Sequence, residues 1–128
     1  MYFGPPPQIL QTEVFATLPE SLAKGPGGKR AGFLEGPSFD RDGNLLCVDI
    51  QAGRVYRISP DGAWDVVVEY DGTPNGLKLH RDGHAFIADR KNGLIVLDVY
   101  SSPDLLTEAA DPCLQLLREV SVPVAIKD

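Results

Sequence analysis

The sequence predicts an all-β fold of short antiparallel strands, and two observations carry that prediction. Between residues 33 and 98, short apolar runs are separated by turn dipeptides, and the Asp-Gly pairs at 42–43, 61–62 and 82–83 are strong hairpin signals. The second observation is an internal repeat, because residues 36–49 align with residues 76–89 without a gap at an offset of 40. A period near 40 residues made of short strands has the size of one four-stranded propeller blade.

The repeat preserves turn glycines, strand-end aspartates and apolar strand positions. Apolar residues pair with apolar residues, and the same offset matches Val55 with Ile95 in the third strands. The identical pairs are Gly36/Gly76, Arg41/Arg81, Asp42/Asp82, Gly43/Gly83, Asp49/Asp89 and Gly53/Gly93.

The chain divides into an irregular arm (residues 1–30), two blades (residues 31–98) and a tail (residues 99–128). The prolines at 5–7 and the glycine-rich stretch 25–28 interrupt regular structure in the arm, where residues 13–18 alternate weakly and could form one extended strand. The predicted strands of the first blade lie near 36–40, 44–50, 54–59 and 64–70. Those of the second lie near 76–80, 84–89 and 93–98.

The tail does not match the blade pattern. Ser102 followed by Pro103 is a typical helix start, so residues 103–120 are predicted to be helical, and residues 122–126 are predicted to be a last extended piece. Propellers have four to eight blades, so 128 residues are too few to close a ring with blades of 40. The predicted fold is an incomplete β-propeller of about two antiparallel blades with a short helical C-terminal tail, and it leaves sheet edges exposed.

Composition and charge exclude several classes of protein. A chain with 43% apolar and 23% charged residues is typical of a globular protein, and no apolar run has the length of a membrane span. The net charge of −6 argues against a surface that binds nucleic acid or anionic membranes. The first residues lack the basic and apolar regions of a secretory signal, so a cytoplasmic location is expected. The two cysteines, Cys47 and Cys113, fit neither a disulfide framework nor a zinc knuckle, and Cys47 is expected to be a small core residue.

Two residues stand out as candidate metal ligands. Glu35 and Asn75 precede the first strands of the two blades and are 40 residues apart. Since the first strand of each blade lines the central channel, their side chains are expected to converge near the channel mouth. A carboxylate and an amide oxygen suit a hard cation such as calcium, which could polarise an ester carbonyl. The alternative is that Glu-Gly and Asn-Gly simply form turns.

Other polar residues are assigned structural roles. Asp49 and Asp89 end equivalent strands and are expected to accept backbone hydrogen bonds in the following turns. His80 and His84 flank an Asp-Gly turn and are expected to face solvent. Residues 40–44 lack the sixth-position glycine and twelfth-position glutamate of a calcium-binding EF-hand loop, so they are predicted to form a hairpin turn.

Residues 33–98 resemble the start of the SMP-30/gluconolactonase/luciferin-regenerating-enzyme family, the regucalcin-type sugar lactonases, which are six-bladed propellers. The matching phrases are Glu35-Gly36-Pro37, Phe39-Asp40, Asp42-Gly43-Asn44, Val48-Asp49, Gly53 to Ile58, Pro74-Asn75-Gly76-Leu77, Ile87-Ala88-Asp89 and Gly93-Leu94. With a weaker match near residues 13–15, the resemblance covers roughly half of the chain.

The resemblance implies metal-dependent hydrolysis of a small sugar lactone, with one calcium or zinc ion at the channel mouth. It makes Glu35 a metal ligand, whereas Asn75 either binds the metal or faces the substrate. The other ligands and the catalytic aspartate of the family belong to blades that this sequence does not contain, so the catalytic residues here are unknown and the metal site is incomplete. The expected activity of this chain is weak or nil. The alternatives are a non-enzymatic binding or assembly module that self-associates through exposed blade edges, and a truncated product without independent function.

Overall fold

The structure is a computed structural model and describes residues 4–6 and 8–99. Two turns of 3-10 helix, Glu20–Leu22 and Pro26–Gly28, lie in the arm. The strands are β1 (Leu34–Phe39), β2 (Leu45–Asp49), β3 (Arg54–Ile58), β4 (Trp64–Glu69), β5 (Pro74–Leu79), β6 (His84–Asp89) and β7 (Gly93–Asp98). The helix predicted over residues 103–120 and the extended piece at 122–126 lie outside the described residues.

The strands form two antiparallel meanders. The first sheet has the order β1-β2-β3-β4, and the second sheet has the order β5-β6-β7. Each predicted strand from residue 36 to residue 98 has its counterpart in the structure, and the all-β prediction with two antiparallel sheets is confirmed. In each sheet consecutive strands are neighbours joined by short turns, and three of these five turns contain an Asp-Gly pair.

The two sheets pack face to face through one apolar cluster. Leu46, Val48 and Val55 of the first sheet are fully buried against the second sheet. The second sheet contributes Leu77, Ala85 and Ile87 to this cluster, and Val99 joins them. Burial of each large aliphatic side chain contributes about 1.5–3 kcal/mol, so this cluster is the main attachment between the sheets.

The arm covers the other face of the first sheet. Ala16, Leu18 and Leu22 pack against a second cluster formed by Cys47, Tyr56 and Ile58. The prediction of a strand at residues 13–18 is wrong, because this segment has no strand pairing and contributes side chains to the cluster instead. The rings of Tyr56 and Trp64 meet edge to face, with centroids 5.3 Å apart.

The repeat is regular in the second strands and shifts by one residue in the third. Val55 lies opposite Val48 on β2, whereas Leu94 lies opposite Ala88 on β6. The structural counterpart of Val55 is therefore Leu94, and the sequence match of Val55 with Ile95 is displaced by one residue. The cause is the turn, because Asp49 pairs with Arg54 but Asp89 pairs with Gly93.

The aspartates that end β2 and β6 organise the turns after them, as predicted. Asp49 Oδ1 accepts hydrogen bonds from the backbone N–H groups of Gln51 and Ala52, both at 3.1 Å. Asp89 Oδ1 accepts the equivalent bonds from Lys91 and Asn92, both at 2.8 Å. The second oxygen of each aspartate reaches the segment ahead of its own sheet, at Gly32 N (2.6 Å) and Thr73 N (3.0 Å). The two carboxylates thus fix equivalent corners of the two sheets.

The segment 40–44 is a hairpin turn, which confirms that it is not an EF-hand loop. Asp40 Oδ1 accepts hydrogen bonds from the backbone N–H groups of Asp42 and Asn44, both at 2.9 Å. Its Oδ2 accepts a third from the Asn44 side chain at 2.8 Å. Both oxygens of Asp40 are therefore used within the turn.

Candidate functional site

Glu35 lies on β1 next to an irregularity in the strand pairing. It sits opposite Val48, and Ser38 sits opposite Leu46, so Gly36 and Pro37 together face a single residue of β2. Such a bulge bends a strand and redirects the side chains beside it. The Glu35 side chain is partly exposed, and no described residue forms a hydrogen bond or ion pair with its carboxylate.

Asn75 lies at the corresponding irregularity of β5, shifted by one position. Pro74 pairs with Asp89 and Gly76 pairs with Ala88, which leaves Asn75 as the extra residue of the bulge. Asn75 is exposed and borders a shallow hollow of about 400 Å³ on the second sheet, together with Asp89, Arg90 and Leu94.

The backbones that carry the two candidates touch. An ideal Cβ placed on Gly36 would lie 3.1 Å from the Cα atom of Gly76 and only 2.3 Å from the backbone nitrogen of Leu77. Further along the strands, the Leu79 N–H donates to the Ser38 hydroxyl at 3.3 Å. The first strands of the two sheets therefore run side by side, the arrangement that the 40-residue repeat predicts for neighbouring blades.

A second hollow, which we call the Glu35 hollow, lies on the face of the first sheet that the arm covers. Its volume is about 350 Å³, and Glu35 is the only charged residue among its described lining residues. The rest of the lining is apolar or aromatic and includes Phe15, Leu34, Leu45, Cys47, Ile58 and Trp64.

Glu35 and Asn75 line different hollows, so the structure does not bring them into one cavity. Nor do residues 4–6 and 8–99 contain a group of three or more His, Cys, Asp or Glu side chains able to hold a metal ion. Calcium takes six to eight oxygen ligands, and zinc commonly takes four ligands from protein and water. The described residues alone therefore do not fit a complete site for either ion, and the assignment of Glu35 and Asn75 as ligands stays a prediction.

Cys47 borders the Glu35 hollow from β2, and its side chain is buried. Burial raises the pKa of the thiol to about 11, and the nearby charge of Asp49 adds to the effect. Cys47 is therefore a buried core residue, in line with the sequence-based expectation.

A partly buried polar network that the sequence did not predict joins the arm to the first sheet. The Arg54 guanidinium donates to Glu69 Oε2 at 2.6 Å, to the carbonyl oxygen of Leu22 at 3.1 Å and to the Tyr56 hydroxyl at 3.3 Å. The Tyr56 hydroxyl in turn lies 3.5 Å from Asp49 Oδ2, to which it donates. The network is structural, because its donors and acceptors satisfy one another.

His80 and His84 are less exposed than the sequence suggested. Their side chains are 34% and 18% exposed, and the Nδ1 atom of each lies 2.9 Å from Asp82 Oδ1. Burial alone would raise the pKa of Asp82, but contacts with the His84 backbone and both imidazoles outweigh it and hold the pKa well below its ordinary value. The His-x-Asp-x-His spacing around the turn was the signal that could have indicated this cluster.

Within the described part of the chain, no helix has the length and apolar character needed to span a membrane.

A family model described as the SMP-30/gluconolactonase/LRE-like region matches residues 33–121, which is more than half of the chain. The match begins just before β1 and continues into the tail, to residue 121.

Several staphylococcal proteins named lactonase drp35 are similar to this chain. The protein from Staphylococcus aureus strain bovine RF122 / ET3-1 is 25% identical over 97 residues, which cover 74% of this chain and 29% of the relative. The protein from strain MW2 is 34% identical over 56 residues, with 42% of this chain and 17% of the relative covered. The Staphylococcus epidermidis protein is 32% identical over 57 residues and has the same coverage.

The chain thus spans less than a third of the length of these relatives. The family match covers both sheets and includes the Glu35-Gly36-Pro37 and Pro74-Asn75-Gly76 segments. The chain belongs to the SMP-30/gluconolactonase/LRE-like family.

Proposed function

We propose that this chain forms two neighbouring blades of a metal-dependent lactone hydrolase and that Glu35 supplies one oxygen ligand to its divalent ion. The observation that carries the proposal is that the Glu35 carboxylate has no hydrogen-bond or ion-pair partner among the described residues. Glu35 lies at the start of β1, where its position follows the family pattern. A carboxylate that stabilises a fold normally has such partners, as Asp40, Asp49 and Asp89 do here.

The substrate class we propose is a small lactone, because the family description includes gluconolactonase and the similar staphylococcal proteins are named lactonases. Calcium or zinc is the proposed ion. Asn75 is proposed to contact the ion or the substrate from the neighbouring strand. Since the described residues do not complete a coordination sphere, we propose that this chain alone binds the ion weakly and is weakly active or inactive.

The test combines metal binding with hydrolysis of δ-gluconolactone. Calcium and zinc are titrated into the wild-type chain, Glu35→Gln and Asn75→Ala, with the exposed Glu20→Gln as a carboxylate control outside the site. We expect metal affinity in the millimolar range for the wild type, a loss of at least about tenfold in Glu35→Gln, and no change in Glu20→Gln. Equal metal affinity in the wild type and Glu35→Gln would remove Glu35 from the site. Fast, metal-dependent lactone turnover by the wild type would contradict the proposed inactivity.

A second candidate function is assembly through the second sheet, and a specific feature favours it. β7 is an edge strand of that sheet in the described chain, whereas its counterpart β3 pairs with β4. Leu94 is 53% exposed although its counterpart Val55 is fully buried. Exposed edges and apolar faces of this kind accept an additional strand or sheet. Analytical ultracentrifugation of the wild type and Leu94→Lys tests this candidate, and a wild-type chain that stays monomeric at all concentrations would contradict it.

A further inference from the structure

The Glu35 hollow has the size and lining of a small-molecule site. Its volume of about 350 Å³ lies within the range of ligand pockets, which begins near 300 Å³. It is more than twice the volume of the roughly 150 Å³ cavity that suffices for benzene, so it can hold a molecule of about ten non-hydrogen atoms. Its walls come from the arm, β1, β2, β3 and β4, and most of the lining is apolar.

Two unpaired polar groups belong to the residues that line this hollow. The Glu35 carboxylate accepts no hydrogen bond from any described residue. The Trp64 indole N–H is buried and has no partner in the part of the chain that the structure describes. Because this N–H has almost no exposed surface, a ligand in the hollow does not reach it, and the Glu35 carboxylate is the unpaired polar group that a ligand can contact.

The chemistry of Glu35 restricts the ligand. Its carboxylate offers an acceptor with a negative charge. A hydroxyl group donates a hydrogen bond, so it can serve this carboxylate. A carboxylate on the ligand would be repelled by Glu35, and any isolated charge would be costly to transfer into an apolar hollow.

We propose that the Glu35 hollow binds a small, largely apolar molecule that carries a hydroxyl group. The apolar part packs against the arm, β2 and β3, and the hydroxyl group forms a hydrogen bond with Glu35. This site needs no metal ion and no bond cleavage, so it goes beyond the proposed lactone hydrolysis and does not depend on it.

The protein contains one tryptophan, and that residue borders the hollow, so its fluorescence reports occupancy directly. The probes are 1-octanol and octanoate, which share a chain length and differ in the charged group. Both are titrated at neutral pH with a chelator present and without lactone. We expect a saturable change in Trp64 fluorescence with octanol at a dissociation constant of about 1 mM or below, and binding of octanoate at least about tenfold weaker.

Three variants test the roles of the residues. Glu35→Gln removes the repulsion but not the cost of transferring a charge into the hollow, so octanoate binding should strengthen relative to octanol binding by at least about threefold. Ala16→Met fills the arm side of the hollow and should weaken octanol binding by at least about tenfold, with circular dichroism to show that the sheets remain folded. Leu94→Ala, on the exposed face of the second sheet, should leave both affinities unchanged.

Two results would overturn the proposal. One is a fluorescence change that rises linearly with octanol and never saturates, which indicates nonspecific partitioning. The other is equal affinity of the wild type for octanol and octanoate. Because the assay contains neither metal nor lactone, its failure leaves the proposed hydrolase function untouched, and an inactive hydrolase leaves this binding site untouched.

Discussion

Replacing Gly36 with alanine is expected to weaken the attachment of the two sheets. Gly36 has φ = 59°, and an added Cβ would lie 2.3 Å from the backbone nitrogen of Leu77 on the other sheet. The left-handed conformation costs a non-glycine residue about 1–2 kcal/mol, and an overpacked methyl group costs about 1–3 kcal/mol more. The obstructing atom is backbone and cannot rotate away, so we expect a total loss of about 2–5 kcal/mol in the free energy of unfolding.

Two other glycines distinguish the cost of the left-handed backbone from the cost of the steric overlap in Gly36→Ala. Gly93 also has a positive φ, of 83°, but a Cβ there would meet no atom within 4 Å, so Gly93→Ala should cost only about 1–2 kcal/mol. A Cβ on Gly76 would make an ordinary contact with the Ala88 Cβ at 3.9 Å, so Gly76→Ala should change stability by less than about 1 kcal/mol.

Equilibrium urea unfolding measures all three variants against the wild type, with Trp64 fluorescence and circular dichroism as probes. For a domain of this size, the expected loss in Gly36→Ala lowers the urea midpoint by about 1 M or more. If Gly36→Ala were no less stable than Gly93→Ala, the close contact between the first strands of the two sheets would be refuted.

Three further predictions concern buried and charged groups. Asp49→Asn should destabilise the protein by about 2–4 kcal/mol in urea unfolding, since an amide cannot accept hydrogen bonds at both of its ends. In a Cys113→Ser background, the Cys47 thiol should react with a disulfide reagent at pH 8 far more slowly than in denaturant, because its pKa is raised to about 11. The pKa of Asp82 is lowered in the folded protein, so its stabilising contribution is present above the unfolded carboxyl pKa and is lost as the pH falls below about 4. Urea midpoints measured from pH 7 to pH 3 should therefore fall less in Asp82→Asn than in the wild type.

Each of these predictions has a contrary outcome. An Asp49→Asn variant as stable as the wild type would show that the hydrogen bonds to Gly32 and to the following turn are dispensable. Equal labelling rates of Cys47 with and without denaturant would show that the thiol is accessible. Parallel pH profiles for the wild type and Asp82→Asn would show that the contacts with His80 and His84 do not depress the carboxyl pKa.

Local sequence signals were sufficient to predict the two sheets, because the strand period and the turn residues act within a few positions of one another. Asp42-Gly43 and Asp82-Gly83 set the hairpins, and Asp49 and Asp89 form the hydrogen bonds that their positions predicted. The weak alternation of residues 13–18 indicated a strand, but the segment packs side chains on a sheet without joining its ladder. Alternation alone does not distinguish these two situations.

Interactions between residues far apart in the chain could not be predicted from the sequence pattern. The equal spacing of Glu35 and Asn75 correctly placed their backbones together, but the bulges fall at different positions in β1 and β5, and the two residues line separate hollows. Likewise, nothing near Arg54 in the sequence indicates its bond to the Leu22 carbonyl, because 32 residues separate the two.

The Arg54–Leu22 contact has a practical consequence for truncated versions of the chain. Residues 8–14 are exposed, so a tag or fusion partner attached ahead of them should be tolerated. Starting the chain after Leu22 would remove the carbonyl oxygen that accepts a hydrogen bond from Arg54, a residue that is only 9% exposed. It would also remove the arm side chains that cover Tyr56. The shortest version that keeps the first sheet intact therefore begins before the family match does.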